Sequence, residues 1–150
     1  MPRIPVHTVE SAPEDSRAEL KDLESKFGKV LNIHAEMAHS PVVLQSYIAQ
    51  QQVIAEYGSF DGRTREAIAL AVGNVDECAY CQAAHTAGGK AAGLTVEEMV
   101  EVRRDSVGFD AKLASLLTLA REMAANNGTV ADASWNRRWT QAGPTVSSLS

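Results

Sequence analysis

Two cysteines occur in the chain, Cys78 and Cys81, and His85 follows the second by four residues. On a helix the positions i, i+3 and i+7 share one face, so these three side chains can act together. A thiol with its ordinary pKa of about 8.5 is mostly protonated at neutral pH, and the reactive species is the thiolate. A base, or the positive end of a helix, is therefore required. His85 lies one turn beyond Cys81 and can serve as that base directly or through a water. Cys78 is about two turns from the imidazole but nearer the helix start, whose dipole favours an anion. Use of the histidine puts Cys81 ahead as nucleophile, while the helix dipole keeps Cys78 as the competing choice.

Glu66 is the fourth member of the set. It stands immediately before the unbroken apolar run Ala67-Ile68-Ala69-Leu70-Ala71-Val72, where a carboxylate is costly unless paired. If its helix packs on the cysteine helix, Glu66 can hydrogen-bond one nitrogen of His85, fix its tautomer and stabilise its charged form. Simpler readings compete with this one. Glu66 could be a first-turn glutamate favoured by the helix dipole and screened by Arg63 or Arg65. A Cys-x-x-Cys pair with His85 and Glu66 could also hold zinc, although structural zinc usually draws on two cysteine- or histidine-bearing knuckles and only one is present. Two cysteines can pack simply as small hydrophobes. His7, His34 and His39 have no matched partner and read as surface, loop or packing residues, and Tyr47, Tyr57, Trp135 and Trp139 as core or interface.

The elements that must position this set are helices. Residues 1–13 hold three prolines and no apolar period, which reads as an extended arm packing on a neighbour. From Glu14, Leu20, Leu23 and Phe27 recur at helical spacing, and Gly28 is placed as a stop. Ser40-Pro41 starts a helix running to Tyr57, with serine as cap and proline at the first turn. Asp61 caps the helix of Glu66, whose apolar run implies burial on all sides, and the chain turns after Gly73-Asn74. Asp76 or Glu77 then precedes the cysteine helix, which runs to about Ala92 and closes at Gly93. Thr95 and Glu98 form a capping box for a short helix. Asp110 caps a helix with a core stripe of Leu113, Leu116, Leu117, Ala120 and Ala124, ended by Asn126-Asn127-Gly128. A last helix over about 131–142 carries Trp135 and Trp139 on one face, Gly143-Pro144 stops it, and residues 143–150 form a loose tail. No strand pair is credible, so the expected fold is an all-α, single-domain bundle of about six or seven helices, with its core over about residues 18–127.

Composition agrees. A length of 150 residues suits one domain, and 45% apolar with 22% charged residues is ordinary for a folded chain. The net charge of -5 is spread along the sequence, with only Arg103-Arg104 and Arg137-Arg138 as basic pairs, which argues against nucleic-acid or anionic-membrane binding. No secretory signal or membrane span is expected, and the reading is cytoplasmic. Two cysteines do not make a disulfide scaffold, and cytosolic thiols that pair are usually catalytic, transient or redox-sensing.

The stretch from Glu66 through Cys78-Ala79-Tyr80-Cys81 to His85, with Gly88 and Gly93, resembles the alkyl hydroperoxidase D-like branch of the carboxymuconolactone decarboxylase superfamily. The resemblance is most specific over residues 66–93, and the flanking helices from about Ala18 to Asn127 suit the same fold. It implies a peroxidase or disulfide reductase acting in antioxidant defence, with Glu66, Cys78, Cys81 and His85 as the site. The second cysteine, Cys81, is implied to attack peroxide or a partner disulfide, and Cys78 to be proton donor and resolving thiol. A thiol or dithiol protein would be the reductant, no metal or organic cofactor is implied, and subunits would assemble as homotrimers or homohexamers. Tyr80 departs from the best-known members, which often carry a second histidine there; a phenol can donate a hydrogen bond but does not relay protons near neutral pH. The other function classes are a cofactor-free decarboxylase of a carboxylated lactone, using Glu66 and His85 alone, and a non-catalytic redox sensor.

Overall fold

A computed structural model describes residues 3–136 of the chain. Among the described residues there is no strand, and the fold is all-α as expected. The chain divides into two compact units, Met1–Ser59 and Phe60–Ser150. Among the described residues no helix is long and apolar enough to cross a membrane. Trp139, the Gly143-Pro144 stop and the tail lie outside the described residues, while residues 132–136, including Trp135, are helical.

The first unit holds α1 (Arg17–Phe27), α2 (Asn32–Met37) and α3 (Pro41–Tyr57). A 3-10 turn over Glu14–Ser16 leads into α1, so the first helix starts three residues later than its periodicity suggests. Gly28 ends it with φ of 73°, a conformation that costs glycine little. The arm does not wait for a neighbour. Ala12 is buried with Leu20, Ala38 and Leu44, and Val9 packs against them. The backbone N–H of His7 also donates to the carbonyl of Ala35 at 3.2 Å. Helix α2 went unread in the sequence because six residues are too few to display a period. Pro41 begins α3 as expected, but the Ser40 side chain makes no capping hydrogen bond.

The second unit is built on α4 (Gly62–Val75), which packs against α5 (Ala79–Ala91), α6 (Val96–Arg103) and α7 (Ala111–Ala125). Its core joins Ala67, Leu70 and Ala71 of α4 to Leu94, Met99, Val102, Leu113 and Leu117. Ile68, Ala69 and Val72 are only partly buried, so the apolar run of α4 is not covered on every side. The expected caps form: Asp61 accepts from the Thr64 N–H at 2.8 Å, and Asp110 from Lys112 and Leu113. The Thr95 and Glu98 capping box is complete. The N–H of Thr95 holds the Glu98 carboxyl below the usual range, with Arg63 adding to the effect. On α7, Leu113, Leu117 and Leu119 are buried, whereas Leu116, Ala120 and Ala124 are half-buried. Two helices differ at the junction that matters most. Helix α4 continues through Gly73 and Asn74 to Val75, and Cys78 sits just before α5 rather than within it.

Candidate active site

All four expected site residues lie in the second unit. Glu66 is the fifth residue of α4 and His85 the seventh of α5. His85 Nδ1 lies 2.9 Å from Glu66 Oε2, with the two side chains 39% and 27% exposed. The carboxylate accepts, so Nδ1 carries a proton, and in the neutral ring Nε2 is left with the lone pair of a base. The arginines that might have explained Glu66 otherwise are engaged elsewhere. Arg63 pairs with Glu98 and donates to the Gly93 carbonyl, and Arg65 donates to the Phe60 carbonyl.

A glycine makes the Glu66–His85 contact possible. A Cβ added at Gly88 would stand 2.5 Å from Glu66 Oε2 and 2.7 Å from its carboxyl carbon. The carboxylate therefore occupies the space that any larger residue would fill. Gly73 serves the same purpose one layer further on, where an added Cβ would lie 2.9 Å from the Cβ of Cys81. These two glycines bring α4 and α5 close enough for the site to form.

Cys78 and Cys81 are joined as a disulfide with Cα atoms 5.3 Å apart, within the ordinary span for this bond. Cys78 is the N-cap of α5, and its sulfur accepts the backbone N–H of Cys81 at 3.1 Å. Its own N–H donates to the Gly73 carbonyl at 3.0 Å, and its carbonyl accepts from Gln82. The residue before it, Glu77, takes φ of 51°, uncommon for a side chain of its size. Tyr80, between the two cysteines in sequence, has 45% of its surface exposed.

Three further residues frame α5. Gln82 donates to the Leu70 carbonyl at 2.9 Å, Thr86 to the Gln82 carbonyl, and Arg103 of α6 to both the Thr86 hydroxyl and the Gln82 carbonyl. Gln82 and Thr86 directly follow Cys81 and His85, and their i, i+4 spacing in an alanine-rich helix was the available signal. Their partner on another helix had none.

The other histidines also acquire surroundings. His7 Nε2 and His39 Nδ1 are 3.2 Å apart, with ring planes within 11° and centroids 5.5 Å apart. That centroid distance is what two coplanar rings joined edge to edge by an N–H···N bond require. His34 is buried between Phe27 and Tyr47, and burial, with Lys26 adding, pushes it below the usual imidazole range. Among the described residues no three His, Cys, Asp or Glu groups come together as metal ligands.

Known proteins agree with this architecture. A 34% identical stretch of 56 residues is shared with "Uncharacterized protein 4 in cox locus" of Paracoccus denitrificans, covering 37% of this chain and 50% of that protein. The chain thus spans about half the length of this relative. A solved structure described as an alkylhydroperoxidase AhpD core, an uncharacterized peroxidase-related protein of Ralstonia eutropha JMP134, has a TM-score of 0.81 at 20% identity over 95% of this chain and 77% of that one. An uncharacterized peroxidase-related protein of Silicibacter sp. TM1040 gives 0.77 at 18% identity, over 95% and 75%. At such identity these two structures speak for the fold. The sequence pattern of the carboxymuconolactone decarboxylase family matches residues 41–122, more than half of the chain, which is therefore a member of that family.

Proposed function

We propose that this protein is a thiol-dependent peroxidase or disulfide reductase in which the Cys78–Cys81 pair cycles between dithiol and disulfide. The observation that carries the reading is a disulfide at the start of the helix that also presents His85, itself hydrogen-bonded to Glu66 at 2.9 Å. Oxidation of two thiols to one disulfide releases two electrons, which is what cleavage of a peroxide O–O bond consumes. His85 accepts and returns a proton at Nε2, and Glu66 holds the ring and offsets its transient charge. The two solved structures of this fold are described as peroxidase-related, which supports the same reading, and a thiol or dithiol protein is the reductant it calls for. Assembly of three or six copies belongs to the proposal, supported by the exposed apolar side chains Val53, Ile54 and Tyr57 on α3.

Replacing both cysteines, Cys78→Ser with Cys81→Ser, is expected to abolish peroxide consumption driven by a dithiol while the helical circular dichroism is retained. Unchanged turnover would sink the reading. A second reading follows from the family pattern, whose name denotes decarboxylation: Glu66 and His85 alone can move a proton on a lactone acid. In that case the double variant stays active in carbon dioxide release from such a substrate.

A further inference from the structure

We propose that His7 and His39 form a proton-operated latch that holds the outer part of the N-terminal arm, residues 3–9, on the turn between α2 and α3 and lets it go on acidification. All of it lies within the first unit. The geometry fixes where the protons are. His7 Nδ1 lies 3.1 Å from the Ser11 carbonyl, which only accepts, so Nδ1 bears the hydrogen and Nε2 the lone pair of the neutral ring. His39 Nδ1, 3.2 Å from that lone pair, is therefore the donor. The centroid separation of 5.5 Å equals this N···N distance plus the two ring radii, an equality met only when both rings and the bond lie on one line. Nitrogens aimed straight at each other do not converge on a third atom, so the pair is a hydrogen bond and not half of a metal site.

Such a pair tolerates one added proton and not two. With one, either ring can donate and the other accept, and the bond gains from the charge. With two, both facing nitrogens bear hydrogens, no acceptor is left between them, and like charges meet. The arm has little else to hold it outside this point. Ile4 and Val6 are 45% and 44% exposed, and His7 keeps one backbone bond, from its N–H to the Ala35 carbonyl at 3.2 Å. Further along, Thr8 and Ser11 bond each other across a turn and Ala12 is buried with Leu20, Ala38 and Leu44, so that turn is the pivot.

The charged groups on the neighbouring segments have other occupations. On the arm, Glu10 is turned to its own N–H and to Thr8, which with Arg17 hold its carboxyl below the usual range, and Arg3 stands at the outer end. Glu14 and Asp15 of the 3-10 turn are exposed, and Arg17 of α1 donates to the Ala12 carbonyl. On α2, His34 is buried between Phe27 and Tyr47, and Glu36, whose carbonyl accepts the His39 N–H, is half-buried. Helix α3 has no charged residue before Glu56. The number of protons on the two rings thus decides whether the latch is closed.

Nuclear magnetic resonance of the full, isotope-labelled chain tests this from about pH 8 to about pH 5, the range in which imidazoles change charge. At the upper end a scalar coupling across the bond should join the His39 Nδ1–H to His7 Nε2. At the lower end the coupling should vanish and the heteronuclear NOE of residues 3–9 should drop to that of a loose segment. Exchange of the His7 amide, corrected for its intrinsic pH dependence, should speed up about tenfold, as loss of one hydrogen bond gives. The amides of Leu20 and Leu44 should stay protected; their loss in step with His7 would make the event unfolding and overturn the latch, as would an arm equally ordered at both ends of the range. Two variants separate the shared proton from mere contact. His39→Phe should loosen the arm at every pH. His39→Asn should hold it at every pH, because an amide donates to a neutral His7 ring and, turned over, accepts from a charged one. A pH step that persists in either variant, or an arm left ordered by His39→Phe, refutes the proposal.

Discussion

At the scale of single residues, the site depends on what Gly88 lacks. Glycine inside a helix costs about 0.5–1 kcal/mol relative to alanine, and α5 accepts that cost where the Glu66 carboxylate needs the space. Gly88→Ala should therefore set helix propensity against function. The added methyl meets only the mobile end of a glutamate side chain, so the melting temperature should change by no more than a few degrees. The Glu66–His85 bond at 2.9 Å cannot survive the displacement, and peroxide turnover should fall on the order of 10²-fold, the effect of a catalytic group misplaced by about 1 Å. Steady-state kinetics beside a thermal melt check both parts. Turnover within twofold of wild type would mean that Glu66 holds His85 through some other geometry.

At the scale of elements, the helices are set by caps, and the caps are local enough to be read in advance. Asp61, Thr95 with Glu98, and Asp110 all act as expected because each needs a partner only two or three residues away. Thr95→Ala removes half of the capping box and should cost about 1 kcal/mol, lowering the melting temperature by about 2–4 °C; Thr95→Ser should restore most of it. The Cys78, Cys81 and His85 spacing was legible for the same local reason, and Glu66 because a carboxylate beside an apolar run demands a partner. What escaped reading depends on how helices cross. The alanine- and glycine-rich make-up of the cysteine helix permits close approach of a neighbouring backbone, but the sequence does not specify that Gly73 and Gly88 admit Cys81 and Glu66, that Arg103 reaches Gln82, or that His7 meets His39 from 32 residues away. The short α2 and the place of Cys78 as cap instead of helical residue were likewise hidden, since periodicity does not fix a boundary to within one residue.

For the whole molecule, pH acts on the fold through His34. Its imidazole is held below the ordinary range by burial and by Lys26, so on acidification the unfolded chain binds this proton first, near pH 6.5. The associated stability is complete above that value and is lost as pH falls through it towards the lower folded one. Denaturant midpoints measured from pH 7.5 to 5 should decline, and His34→Phe should flatten that part of the curve; an identical decline in the variant would assign the proton elsewhere. Redox state acts on the fold quite differently. As a crosslink in a polymer, the Cys78–Cys81 bridge spans a sequence separation of 3. So short a loop removes only about 2 kcal/mol of chain entropy from the unfolded ensemble, against about 3 kcal/mol for a 15-residue loop. Breaking this bond returns little freedom to the chain. In the proposed cycle, opening and closing it would therefore change the stability of the helices that carry it by only about 2 kcal/mol.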